Sequence, residues 1–280
     1  MFLTLNVNPP NVVLGTDSGI IEIQVEDRKI EFGAHSGCVS ALCVIDTFLV
    51  SASGSELKLW PLNKVVEEGN DIQPVQTLSL DHNIVSLVSD NTSLFVVLEA
   101  EIIEYSVIDM KQIKKFSSNF GTSINACCLL DRRLIVAYSD FSMRIFTDNG
   151  EEDQVIQAME NIVSVAACSN LIYAGSDAGT FCCYDLLTNT FRSVIEVTNV
   201  PIQKLFVAGG SPFVSTVSSI YKVDPFSNTI ERVYTEETHD IIDLVASDDQ
   251  VFLLTDAGYK KISLNGMSYI LNLDSYLQIG

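Results

Sequence analysis

Short apolar runs alternate with polar turns along the whole chain. NVVLG at 11–15, RLIVAY at 133–138, NLIYAG at 170–175 and QVFLL at 250–254 each lead through a turn into a segment where apolar and polar residues alternate. Alternation of period two in β-branched and aromatic runs predicts strands, and no long segment repeats apolar residues at the spacing of a helix face. The turns themselves are related: TDSG at 16–19, SDFS at 139–142, SDAG at 176–179 and TDAG at 255–258. They are separated by about three, one and two multiples of roughly 40 residues, a period at which four-stranded sheets repeat.

Filling in the missing repeats gives seven units at about 2–32, 38–80, 84–116, 123–159, 162–197, 202–234 and 241–273, each with an inner, a middle, a third and an outer strand. A lone four-stranded sheet cannot bury two apolar faces, so neighbouring sheets must stack, and closing the circle leaves no open face. The expectation is an all-β chain, a seven-bladed β-propeller of four-stranded antiparallel blades forming one domain over 1–280. Inner strands such as IVSLVS, INACCLL and IVSVAAC are nearly continuous in apolar or small residues and are expected to be covered on both sides. The stretch PLNKVVEEGNDIQP at 61–74 reads as an enlarged loop inside one blade. Residues 268–273 read as the seventh blade's own outer strand, which leaves closure to packing between the first and seventh blades.

Two segments carry more specific residues: AHSGCVSALCVIDTFLVSASGSELKLW at 34–60 and NLIYAGSDAGTFCCYD at 170–185. Through them the chain resembles the WD40-repeat family as a divergent member. In that family a loop His, a middle-strand Ser or Thr, a turn Asp and a third-strand Trp form a hydrogen-bonded tetrad. The resemblance implies such roles for His35, Ser53 and Trp60, with Ser55 where the Asp would stand, and for Ser176 and Asp177, with Tyr184-Asp185 in place of Trp-Asp. Gln24 and Ser263 take the Trp position in the first and seventh units. The three histidines, His35, His82 and His239, all precede an inner strand, which predicts a structural role in the blade for each. Asp17, Asp140, Asp177 and Asp256 read as turn carboxylates accepting from local N–H groups.

Composition narrows the function. The formal charge of −20 disfavours contact with nucleic acid or anionic membrane; it serves solubility, and it also suits a basic partner. Seven cysteines without a CxxC pair predict reduced thiols, no metal site and an intracellular location in cytoplasm or nucleus. The start MFLTLNVNPP lacks the basic and long apolar regions of a signal peptide, and no apolar run is long enough to span a membrane. The nucleophile-elbow, P-loop, zincin and dinucleotide motifs are absent, so no catalytic residue and no cofactor is expected.

Binding is therefore the default. One face of loops is expected to be negative through Asp81, Glu160, Glu236, Glu237 and Asp240, with Phe120 and Phe141 as an aromatic anchor for a partner peptide. Arg132 and Arg133, with Lys111, Lys114 and Lys115, form a basic island that discourages strand pairing. The reading is a non-catalytic scaffold or adaptor subunit whose partners are other proteins, including ones with basic segments. Three alternatives stay open: a reader of basic peptides such as histone tails, a propeller hydrolase, and a nuclear scaffold. The last is implied by a likeness of 34–60 and TDAGYKKISL to the propeller subunit of the THO messenger-RNA export complex.

Overall fold

Within a sheet each strand pairs with the next, mostly through a short turn, so every sheet is an antiparallel meander in sequence order. The computed structural model describes residues 2–7, 10–25, 28–68, 72–90, 92–117, 121–247 and 250–264. Its strands fall into two units, Met1–Gly121 and Thr122–Gly280.

The first unit holds three sheets. They are β1 to β4 (Phe2–Val7, Pro10–Gly15, Ile20–Val25, Arg28–Gly33), β5 to β8 (Ala41–Ile45, Phe48–Ser53, Glu56–Pro61, Gln76–Ser79) and β9 to β12 (Ile84–Ser89, Ser93–Leu98, Glu101–Ser106, Gln112–Ser117). The second unit holds four. Two are β13 to β16 (Ile124–Leu130, Arg133–Tyr138, Ser142–Phe146, Glu152–Gln157) and β17 to β20 (Ile162–Cys168, Leu171–Ser176, Thr180–Asp185, Thr190–Glu196). The others are β21 to β24 (Lys204–Ala208, Ser211–Ser215, Ser219–Asp224, Thr229–Thr235) and β25 to β27 (Ile241–Ala246, Gln250–Thr255, Gly258–Ser263). This is a seven-bladed β-propeller fold of four-stranded antiparallel blades. The fourth strand expected for the last blade, at 268–273, lies outside the described residues.

Apolar side chains meet between consecutive sheets within each unit. Ile23, Trp60 and Val65 share one cluster, Val50, Leu87 and Val96 another, and Ile145, Ile162 and Ile172 a third. Burial is dense on second strands such as SLFVVL of β10 and QVFLLT of β26. The inner strands β9, β13 and β25 are only partly covered, contrary to the expectation from their apolar sequences. The reason is positional: an inner strand has a strand neighbour on one side only, whereas the second strand has one on each side.

A repeated lock joins consecutive blades. Val39 and Ile202 were expected to lie in inner strands beginning at 38 and 202, yet β5 starts at Ala41 and β21 at Lys204. Both residues turn down, fully buried, onto a glycine of the preceding blade. A β-carbon at Gly175 would lie 2.5 Å from Ile202 Cγ2, and one at Gly15 would lie 2.6 Å from Val39 Cγ1. Only glycine admits so close an approach.

The segment expected as a loop after Pro61 opens with a short helix, α1 (Leu62–Glu68). Leu62 and Val65 are buried among the core of the first two blades, with Val66 packed beside them. That spacing of three and four residues is the apolar stripe of a helix, and it suffices for these two amphipathic turns.

Candidate interaction surface

Ionisable and polar groups that could carry function must be separated from those that hold the blades. In the second blade the indole N–H of Trp60 donates to Ser51 Oγ at 2.9 Å, and the same oxygen lies 2.7 Å from His35 Nε2. His35 Nδ1 lies 2.9 Å from Glu56 Oε2, and Lys58 adds an ion pair to Glu56 at 3.1 Å. Ser51 has one proton to give. With its oxygen taking the indole N–H, that proton goes to Nε2, and the Nδ1–H donates to Glu56. His35 is thus neutral, in keeping with a pKa held below the ordinary histidine range mainly by burial. The hydroxyl in this cluster is Ser51 rather than the expected Ser53, and the acid is Glu56, beside the expected position 55. Ser51 and Ser53 share a face of β6, and only the former reaches under Trp60.

The other histidines diverge. His239 Nδ1 lies 2.8 Å from Asp256 Oδ1 and joins two loops of the last blade, whereas His82 is exposed. The turn carboxylates also depart from the expectation of local caps. The hydroxyls of Thr16 and Ser176 accept the N–H of Ile20 and Thr180 at 3.0 and 2.9 Å, and Thr255 takes that of Ala257 at 3.3 Å. This leaves the carboxylates to reach further. Asp17 accepts from the Cys38 thiol at 3.4 Å and Asp177 from the Asn161 amide at 3.1 Å. Asp140 does cap locally, taking the Ser142 N–H at 3.0 Å while pairing with buried Arg144 at 2.8 Å.

Two of the five acids assigned to the loop face are built into blades. Glu236 is 7% exposed and accepts from the Tyr234 hydroxyl at 2.6 Å and the Lys260 ammonium at 2.9 Å. Burial opposes its charge, but those two donors outweigh burial and hold its carboxyl at about 2. Glu160 accepts the Ser176 hydroxyl at 2.5 Å and is half-buried. Asp81, Glu237 and Asp240 are exposed. Four of the five residues of the basic island pair with neighbouring acids, through Lys111–Asp109 at 2.7 Å, Lys114–Glu104 at 3.7 Å, Lys115–Glu101 at 2.5 Å and Arg132–Asp148 at 3.4 Å. Phe120 lies outside the described residues.

Phe141 is the aromatic residue that stands out. Strands β14 and β18 both have six residues and the same register with their inner strands, Ile124↔Tyr138 and Ile162↔Ser176. Tyr138 therefore takes the place of Ser176, and Phe141, not Ser142, takes the place of Gly179. The turn bonds agree, with Phe141 N–H to Tyr138 O at 3.2 Å and Gly179 N–H to Ser176 O at 3.3 Å. Gly179 has φ 93°, Gly19 has φ 82°, and Phe141 has φ 63°. A phenylalanine thus holds a left-handed position that glycine fills elsewhere, with 46% of its surface exposed. Its carbonyl accepts the Ala158 N–H at 2.8 Å, and the next residue, Met159, is 94% exposed.

Met159 borders a groove of about 460 Å³ between the fourth and fifth blades, floored by Ile162, Cys182, Phe191 and Val194. Sequence reading missed this groove, because its walls come from a loop and a strand far apart along the chain. The one available signal is Val194, an apolar residue at a solvent-facing position of an outer strand.

Among the described residues no helix is long and apolar enough to cross a membrane. No family model matches this sequence, and no curated protein does. Solved structures do resemble it. The WD40 β-propeller domain of Doa1 superposes with a TM-score of 0.75 at 11% identity, covering 89% of this chain and 87% of that one. The computationally designed Ika8 protein gives a TM-score of 0.73 at 13% identity, covering 91% of this chain and 80% of that one.

Proposed function

We propose that this chain, whose fold is the WD40-type propeller, is a non-catalytic protein-binding scaffold within an intracellular multiprotein assembly. The observation that carries the reading is Phe141. A left-handed backbone costs a β-carbon-bearing residue about 1 kcal/mol or more. A half-exposed ring recovers little of that by burial, so its presence where Gly19 and Gly179 stand in other blades speaks for contact with something outside the chain. With Met159 it forms an apolar point amid exposed acids, the composition of an anchor rimmed by polar groups.

The thiols support a non-catalytic role. Burial pushes Cys127 up to about 12 and Cys128 higher still, while Cys182 and Cys183 rise to about 11. Thiols held protonated at neutral pH lack the thiolate that a nucleophile needs.

The test is affinity purification of the wild type and of Phe141→Gly, each followed by mass spectrometry. The variant is expected to lose at least one stoichiometric partner while melting no lower than the wild type. Equal recovery of every partner would remove Phe141 from the interface, and recovery of none by the wild type would overturn the scaffold reading.

A further inference from the structure

The groove between the fourth and fifth blades has a shape and a charge pattern that specify an occupant more narrowly than the protein-binding reading on which this inference rests. Its apolar lining is Ala158, Met159, Ile162, Cys182, Phe191 and Val194. One end is fixed: the Gln154 amide of β16 donates to the Tyr184 hydroxyl of β19 at 2.5 Å, and Phe191 packs edge-on against Tyr184 at 5.2 Å. The other end carries two carboxylates, Glu160, held by Ser176, and Glu196, exposed at the end of β20. Neither forms an ion pair with a lysine, arginine or histidine among the described residues, whereas Asp140, Asp148, Glu152 and Asp185 of the same two blades do. Both carboxylates line this end of the groove, where an incoming cation can be attracted by the two together. The overall charge of −20 adds long-range attraction for such a cation.

The spacing is set by the sheet. Val194 is paired with Cys182 and Glu196 with Thr180, so the apolar and acidic subsites stand two residues apart along β20. Two residues of extended chain span about 6.6 Å and return side chains to the same face. We propose that this groove binds an extended peptide segment of a partner protein in which a bulky aliphatic or aromatic residue is followed or preceded, two positions away, by lysine or arginine. The apolar side chain lies over Val194 and Phe191, and the cation meets Glu196 and Glu160. The groove volume of about 460 Å³ accepts one large side chain together with the adjoining backbone, within the range of about 300–1,000 Å³ typical of ligand sites.

The probe is a phage library of random heptapeptides selected on the immobilised full chain. The strongest sequence is then synthesised with a fluorophore and titrated by anisotropy. Enrichment of the apolar-x-basic pattern is expected. Val194→Arg and Glu196→Lys should each weaken the peptide about tenfold or more, and Glu237→Lys, an exposed acid outside the groove, should change it less than about twofold. Raising NaCl from about 50 to about 500 mM should weaken binding several-fold. Both substituted side chains are exposed, and matching melting temperatures confirm that the variants fold. Selected peptides without a basic residue, or peptides insensitive to Val194→Arg, would overturn the proposal, as would failure to select any. A change of oligomeric state on Val194→Arg would assign the groove instead to a second copy of the chain. The scaffold reading is judged separately: cellular partners retained by both groove variants would refute the groove and leave that reading standing.

Discussion

Replacing Ser51 by alanine removes one oxygen and strands two buried groups. Ser51 Oγ is the acceptor for the Trp60 indole at 2.9 Å and the neighbour of His35 Nε2 at 2.7 Å. Trp60 and Ser51 are almost wholly buried, and the side chain of His35 is fully so, leaving no route for water to substitute. A buried polar group left without its partner costs about 1–3 kcal/mol, so the pair should cost about 2–5 kcal/mol. For a chain of this size that lowers the melting temperature by roughly 5–12 °C. The assay is intrinsic fluorescence in a thermal or urea ramp, since Trp60 is the single tryptophan and sits in the cluster being tested. Ser53→Ala is the matched control. Ser53 lies on the same strand and face but outside the cluster, so the change should stay within about 0.5 kcal/mol. If Ser53→Ala cost as much as Ser51→Ala, or if Ser51→Ala proved neutral, the chain of bonds from Trp60 to Glu56 would not be what holds this blade.

The same cluster should be acid-sensitive. His35 is held below its unfolded value, mainly by burial, and Glu56 below its own, burial being outweighed by bonds from His35 and Lys58. The stability each contributes is full above its unfolded pKa, about 6.5 for His and 4.3 for Glu, and is lost as pH falls through the lower folded value. The Trp60 transition should therefore weaken from about pH 6.5 downward, and His35→Asn should flatten that dependence above about pH 5. Gly175→Ala sets a β-carbon 2.5 Å from Ile202 and should cost about 1–3 kcal/mol in urea unfolding. Adding Ile202→Ala should cost less than the sum of the two single changes, because both act on one contact. Ellman's reagent should label exposed Cys38 in the native protein, whereas Cys127, pushed up to about 12, and Cys128 should react only in denaturant.

The strand order was legible because period-two alternation and turn residues are local signals, and the repeat supplied the sheet count. What failed was register at the scale of one or two residues. Ser51 and Ser53 satisfy the same alternation, so only the reach of Trp60 distinguishes them. Aligning SDFS with SDAG by its letters placed Ser142 opposite Gly179. The strand end at Tyr138 shifts the turn by one and gives the left-handed position to Phe141. Helix α1 carried its signal in Leu62, Val65 and Val66, but a pattern shorter than two full turns is easily read as loop. Glu160 and Glu236 looked like surface charge because their partners, Ser176 and Lys260, lie 16 and 24 residues away. The groove was invisible for a related reason: no single segment contains it.

The polar clusters differ from blade to blade. The second uses His35, Ser51 and Trp60; the third sets Ser93 against Glu104; the fourth closes Asp140 on Arg144; the fifth joins Glu160 to Ser176. Each answers the same demand, a polar side chain drawn into the blade and matched to a partner, with different chemistry. Selection acting on such a chain can exchange one pairing for another without disturbing its neighbours, provided the apolar faces still stack. One shape can thus be reached by very different spellings, as the 11–13% identities at TM-scores of 0.73–0.75 illustrate.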